Sequence, residues 1–257
     1  MTGRSLPSVT LKAGREKSLA QRHPWIFSGA IERVDGAPAS GDTVAVRTHD
    51  GAVVATAAYS PSSQIRARAW AFAPAAIDAA WFAQRVRAAV DARAGMLDAD
   101  HTACRLVHGE SDGLPGVIAD RYGDTVVVQL LSAGADRWRD AIADALVAAT
   151  GATTVVERSD AEVRQLEGLP PRNEVLRGAL AGPVPIREDG IAYRVDVMAG
   201  QKTGFYLDQR ASRHRVRRLA HGRSVLNAFC YTGGFTLAAL AGAATRVESV
   251  DTSEEAL

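Results

Sequence analysis

The sequence predicts a multidomain α/β protein, and three observations carry that expectation. Short runs of β type fill residues 9–70, strand and helix patterns mix between 74 and 158, and a strand, a glycine turn, a helix and a second strand follow one another over 225–251. The order corresponds to a β-rich front segment, a compact α+β middle and the opening of a parallel, Rossmann-like sheet.

In the front segment, residues 44–48 and 52–60 flank His49-Asp50-Gly51, an Asp-Gly hairpin signal. Ile65, Ala67 and Ala69 alternate with Arg66, Arg68 and Trp70, the pattern of a half-exposed strand, and the whole reads as a small closed β-barrel. Pro74 opens a helix in which Ile77, Trp81, Val86 and Val90 keep near-helical spacing up to Gly95. Residues 117–120 and 125–131 pair across Tyr122-Gly123-Asp124. Trp138, Ile142, Leu146 and Ala149 then mark a helix that Gly151 ends, and 153–158 is a further strand. Breakers crowd 181–190, with Pro183, Pro185 and Gly190, so the expected domains are 1–73, 74–188 and 189–257. Past that boundary Ile191, Tyr193, Val195 and Val197 alternate as a strand, 210–219 is a basic helix and 224–228 a short buried strand.

Composition excludes several classes. At 257 residues and 47% hydrophobic the chain can bury more than one core. No stretch reaches the ~18 apolar residues of a membrane span, and the start of the chain is polar and basic without a leader, so a cytoplasmic protein with no membrane partner is expected. Cys104 and Cys230 stand far apart and away from metal-ligand spacing, which predicts neither a disulfide framework nor a metal site. The net charge of +1 means that any nucleic-acid contact must rest on a local basic surface.

The densest chemical signal is 225–235, Val-Leu-Asn-Ala-Phe-Cys-Tyr-Thr-Gly-Gly-Phe, followed by a helix and then Arg246-Val247-Glu248-Ser249-Val250-Asp251. Gly233 and Gly234 let backbone approach a ligand, the helix start attracts an anionic group, and Asp251 ends the second strand where a carboxylate accepts ribose hydroxyls. A dinucleotide turn needs glycine where Phe229 and Tyr231 stand, because a pyrophosphate lies against it. A methyl-donor nucleoside makes no such demand, and S-adenosylmethionine is the preferred cofactor, with Asn227 at the position usually acidic. A nucleotide-dependent oxidoreductase remains the alternative. Upstream, Gln201-Lys202-Thr203-Gly204-Phe205-Tyr206 runs to Arg210, a polar, cationic and aromatic segment suited to capping an amino-acid tail. The expected cofactor residues are Gln201, Lys202, Phe205, Arg210, Asn227, Phe229, Tyr231, Thr232, Gly233 and Asp251. At the front, Lys12, Arg15, Lys17 and Arg22 surround Trp25, a phosphate-tracking and base-stacking combination, though an ordinary barrel rim shows the same mixture. The arginines of 210–223 commonly form a solvated helix face, and Gly109-Glu110-Ser111-Asp112-Gly113 reads as a structured turn before a hairpin.

Across the chain, Gly14-Arg15-Glu16-Lys17-Ser18-Leu19, His23-Pro24-Trp25-Ile26-Phe27, residues 60–68, 110–116, 201–210 and Tyr231-Thr232-Gly233-Gly234-Phe235 resemble the RlmI-type family of bacterial 23S ribosomal RNA cytosine-5 methyltransferases. The resemblance implies an N-terminal PUA-like β-barrel that docks ribosomal RNA, a central α+β domain, and a Rossmann-like class I methyltransferase domain that binds S-adenosylmethionine. It also implies a cysteine thiolate that attacks cytosine C6. That cysteine, with an Asp-Pro-Pro segment, is expected beyond Leu257, so the methyltransferase domain reads as truncated. No catalytic residue is expected in this chain, which would then be inactive as written. Two core strands alone would also leave an unpaired edge and an uncovered helix face. An RNA-binding module with an inert methyltransferase remnant is the alternative from another class, and homodimerisation stays open.

Overall fold

In the computed structural model, which describes residues 6–254, the β-rich front begins with β1 (Ser8–Leu11), a one-turn helix α1 (Lys17–Ala20) and β2 (Trp25–Phe27). It continues through β3 (Ile31–Asp35), β4 (Thr43–Arg47), β5 (Val53–Tyr59) and β6 (Ile65–Ala71). The sheet order is β2-β6-β5-β4-β1-β3, with β1 parallel to β4 and antiparallel to β3. The Asp-Gly turn joins β4 to β5 as expected: Gly51 adopts φ 94°, and Thr48 and Ala52 close the hairpin through a 2.9 Å bond. Val9, Leu11, Leu19, Ile26, Val44 and Val46 form the core of this sheet. Each such fully buried aliphatic side chain contributes about 1.5–3 kcal/mol.

Alternation along β6 predicts a solvated face for Arg68 and Trp70, but both are buried. The second face of the sheet is covered by helices, so the period-two pattern misreads it. The Trp70 ring meets Trp81 at 5.7 Å and Phe82 at 5.2 Å, and Phe82 in turn meets Trp138 at 5.1 Å. Trp81 and Phe82 lie on α2 (Ala79–Asp91), which starts at the Asp78 cap, whose carboxylate accepts from the Trp81 amide, rather than at Pro74.

The middle segment is a five-stranded sheet in the order β11-β10-β9-β8-β7. Its strands are β7 (Ala103–His108), β8 (Val117–Tyr122), β9 (Thr125–Leu130), β10 (Thr154–Ser159) and β11 (Arg172–Arg177), with helices α3 (Ala133–Arg137), α4 (Arg139–Thr150) and α5 (Val163–Leu166) between them. The β8–β9 hairpin pairs Tyr122 with Thr125, and Gly151, at φ 67°, ends α4, both as the spacing predicts. Gly134 lets α3 sit on the front sheet: a Cβ there would collide with Ala58 and come within 2.9 Å of the Trp70 ring.

By contact the front and middle segments form one unit, residues 6–95 with 105–182, where the sequence suggested separate domains divided near residue 73. A buried ion pair inside this unit ties them: Glu167 accepts from Arg68 at 2.8 Å, from Ser60 Oγ at 2.7 Å and from the Ala133 amide at 3.2 Å. Burial pushes the Glu167 carboxyl up, but Arg68 and the Ser63 and Ser60 hydroxyls outweigh it and hold the group below its usual range.

The second unit comprises 96–104 and 183–254. It contains β12 (Val184–Glu188), β13 (Ile191–Val195), α6 (Arg210–Leu219), β14 (Ser224–Ala228), α7 (Gly234–Ala241) and β15 (Arg246–Val250). The breaker-rich stretch expected as a connection holds β12, which pairs antiparallel with β13. Pro185 is tolerated because it faces outward while Val184, Ile186 and Glu188 face in. β14 and β15 are parallel, with Asn227 opposite Ser249. Leu226, Leu240 and Val250 are exposed. Segment 96–104 lies along β12, where Thr102 and Arg187 exchange a 3.0 Å backbone bond and a 2.8 Å bond from the Arg187 amide to Thr102 Oγ1. His101 bridges the Asp98 and Asp189 carboxylates at 2.9 Å each, and His214 meets the other Asp189 oxygen at 3.3 Å. The bond to Asp189 raises the His101 pKa more than burial lowers it, with Asp98 adding to the rise.

Glu167→Ala leaves Arg68 buried and unpaired and is expected to cost about 3–5 kcal/mol in denaturant unfolding; a loss under 1 kcal/mol would contradict the role given to the pair. Because the folded-state pKa of His101 is raised, its contribution is complete below the unfolded value of about 6.5 and fades as pH rises through the folded value. The gap in melting temperature between the native chain and His101→Gln should therefore narrow from pH 6 to pH 8.5, and a constant gap would refute it.

Candidate cofactor-binding site

β14 leads into a turn built from left-handed residues: Phe229 has φ 59°, Tyr231 49° and Gly233 80°. A non-glycine residue in this region is strained. The turn is fixed from both sides. Cys230 donates its amide to the Val250 carbonyl at 3.1 Å, and the Gly233 amide returns to the Cys230 carbonyl at 2.9 Å. Asp251, at the end of β15, accepts from the Tyr231 amide on one oxygen (2.8 Å) and from the Ser253 amide on the other (3.0 Å). These amides, Ser253 first, hold its carboxyl below the usual carboxylate range, so it is an ionised acceptor with capacity left on each oxygen. Beneath the turn Asn227 Nδ2 donates to Thr236 Oγ1 at 2.9 Å, which shares a 2.6 Å bond with Ser249 Oγ, locking β14, α7 and β15 together.

Opposite the turn stands the segment that follows β13. Its carbonyls and amides fold back on themselves, Gly200 on Asp196 at 3.0 Å and Gly204 on Gln201 at 2.8 Å. Between this segment and the turn lies a cavity of about 500 Å³, within the size range of small-molecule sites. Of the sequence-predicted residues, Gln201, Phe205, Asn227, Phe229, Tyr231, Thr232 and Asp251 line it. Gly233 does not, although its neighbour Gly234 does.

The two expected cations are also elsewhere. Lys202 is turned onto Asp208 (3.3 Å) and over the Tyr206 ring (4.3 Å), where an exposed ammonium finds both a carboxylate and a π face. Arg210, at the start of α6, does not line the cavity. The cation in the wall is Arg213, which the sequence places on a solvated face. It is 3% exposed, grips Glu188 through two bonds of 2.5 and 2.7 Å and lies 4.5 Å over the Phe205 ring. The missed signal is the spacing of Arg213, Val216 and Ala220, which puts the arginine on the inward stripe of α6. Gly234 permits this packing, since a Cβ would stand 3.3 Å from Arg213 Cδ.

In the first unit, Arg15, Lys17 and Trp25 line a separate cavity of about 500 Å³ with Phe27, which is half exposed. Trp25 is oriented by a 2.8 Å bond from its indole N–H to Glu110 and by edge contacts with His23 and Phe27. Lys12 caps the Gly29 carbonyl at 3.0 Å and Arg22 lies 6.0 Å over Phe72, so neither reaches this cavity wall. The acids at 110–112 serve structure: Asp112 pairs with Arg93 at 2.8 and 2.9 Å and accepts from the His108 amide. Among the described residues no group of three or more His, Cys, Asp or Glu could hold a metal, and no helix is long and apolar enough to cross a membrane.

Residues 114–257, more than half of the chain, match the family model of S-adenosylmethionine-dependent methyltransferases. The chain belongs to this family. A PUA-like domain model matches residues 9–72 of the same methyltransferase chain. Proteins named Ribosomal RNA large subunit methyltransferase I are similar to it along its length: one from Klebsiella pneumoniae is 48% identical over 100% of this chain and 65% of its own, and one from Vibrio parahaemolyticus 50% identical over 97% and 64%. The chain thus spans about two thirds of the length of these curated relatives. A putative S-adenosylmethionine-dependent methyltransferase from Streptococcus mutans shares the fold at a TM-score of 0.79 and 24% identity, covering 97% of this chain and 64% of that one.

Proposed function

We propose that this methyltransferase chain binds S-adenosylmethionine between the 229–233 turn and the 200–206 segment and docks ribosomal RNA on its PUA-like domain. In this reading it is part of an enzyme that forms 5-methylcytosine in 23S ribosomal RNA. The observation that carries the cofactor half is Asp251, an ionised carboxylate set by two backbone amides at the rim of a cavity of suitable size. Two backbone bonds leave its remaining lone pairs for a ribose diol. Phe229, 85% exposed at the cavity lip, offers an aromatic face to the adenine, and Gln201 and Tyr206 offer polar groups to the amino-acid tail. Gly233, left-handed and open, lets the chain enter α7 with its first amides free to face the ligand. S-adenosylmethionine supplies an electrophilic methyl group on its sulfonium, and these residues would bind and orient it.

The ribosomal substrate follows from the relatives' names, and cytosine C5 from the motif resemblance. No nucleophile is assigned among the described residues: Cys104 is buried on β7 and Cys230 in the turn, where its thiol donates to the Tyr231 carbonyl at 3.6 Å. A dinucleotide fits less well, because Phe229 and Tyr231 fill positions where a pyrophosphate needs bare backbone. For RNA, Arg15, Lys17, Trp25 and Phe27 combine charge with stacking surface around one cavity.

Calorimetric titration tests the first half: Asp251→Ala should weaken S-adenosylmethionine about tenfold, and equal affinity, or NADH binding in its place, would defeat the assignment. For the second half, Arg15→Glu with Lys17→Glu should weaken a ribosomal RNA fragment and make its salt dependence shallower, by about 0.7 in log–log slope per lost single-strand phosphate contact. An unchanged slope would place RNA elsewhere.

A further inference from the structure

We infer that Tyr231 is a positioning residue that latches the 200–206 segment to the 229–233 turn, whose amide orients Asp251, so that ribose and amino-acid tail are recognised together. The inference rests on the cofactor reading above and goes beyond it in assigning a residue to the coupling. Tyr231 stands at φ 49°, in the left-handed region. Glycine is the unstrained residue there, and glycine is what the same turn uses at Gly233. Tyr231 thus keeps a side chain at a position where glycine would be unstrained.

Its two ends hold different elements. The backbone amide donates to Asp251 Oδ2 at 2.8 Å, fixing the carboxylate expected to meet the ribose. The hydroxyl accepts from the Gln201 amide at 2.8 Å and donates to the Gly204 carbonyl at 3.4 Å, so both of its hydrogen-bonding roles are spent on the opposite segment. The ring meets Tyr206 edge-on at 5.6 Å, and the Tyr206 hydroxyl bonds to the Gln201 side chain. The segment itself behaves as one piece. Asp196 caps the Met198 and Ala199 amides at 2.8 and 2.9 Å, and a Cβ on Gly200 would come within 2.7 Å of the Gly204 carbonyl oxygen. A pull on Gln201 is thus transmitted to Phe205 and Tyr206, which line the cavity beside Asp251. Tyr231 and Gln201 also wall a second cavity of about 530 Å³, so their bond stands on the partition between the two.

The test is calorimetric titration of S-adenosylhomocysteine and of adenosine, which lacks the tail, into the native chain, Tyr231→Phe and Tyr231→Gly. Tyr231→Phe removes the hydroxyl alone and should weaken S-adenosylhomocysteine about five- to tenfold while adenosine stays within about twofold. Tyr231→Gly relieves the left-handed strain, so its melting temperature should hold or rise while selectivity for S-adenosylhomocysteine over adenosine falls further. Equal weakening of both ligands by Tyr231→Phe, no weakening of either, or a loss in Tyr231→Gly that tracks a lower melting temperature would overturn the latch. In each of those cases native binding of S-adenosylhomocysteine leaves the cofactor reading standing. Absence of binding by the native chain would remove that reading and the latch with it.

Discussion

The ion pair between Arg213 and Glu188 is the constraint around which the second unit is arranged. Both groups are nearly inaccessible, so each depends on the other: a buried guanidinium without its carboxylate would be an uncompensated charge. The pair fixes α6 against the β12–β13 hairpin, and the flat guanidinium covers Phe205. Phe205 in turn packs on Tyr193 at 5.1 Å, where burial pushes the phenol up to about 12 and keeps it neutral. With α6 so placed, α7 can approach only because Gly234 and Gly242 present no Cβ to it, the latter lying against the Arg217 carbonyl. The start of α7, and hence the turn before it, is located by that chain of contacts.

The turn shows a different economy from a glycine-rich phosphate loop. A phosphate loop exposes bare amides to a charged ligand. Here two of the left-handed positions carry aromatic side chains, and the amide of one of them is spent on an internal carboxylate. The site is consequently organised around an oriented acid and aromatic surface, which in the proposed reading would receive the adenosine part of S-adenosylmethionine, a diol without a phosphate.

Much of this organisation was legible in the sequence where local rules apply. The Asp-Gly hairpin, the Tyr122-Gly123-Asp124 turn and the Gly151 helix stop each follow from backbone chemistry, and the strand-turn-helix-strand order gave Asp251 its place. What escaped depended on partners distant in sequence. Trp70 and Arg68 alternate like surface residues, and only the packing of Trp81 and Glu167 shows them buried. β7 and β11 carry no clear alternation and become strands through their neighbours in the sheet. Lys202 looked like an anion ligand by type, yet Asp208 six residues later and the Tyr206 ring claim it. Arg213 was hidden by company, one inward arginine among several that face water.

The excursion of the chain at 96–104 has a consequence for how the second unit can be separated from the first. The unit is discontinuous: Thr102 backs β12 and His101 clamps the tip of the β12–β13 hairpin through Asp189, yet both are encoded some eighty residues before that hairpin. A gene fragment opening at Pro183 would specify every strand of the cofactor turn and still omit this brace. Recombination or proteolysis at the apparent junction would therefore not release an intact module, and inheritance of the cofactor half would carry a piece of the preceding half with it.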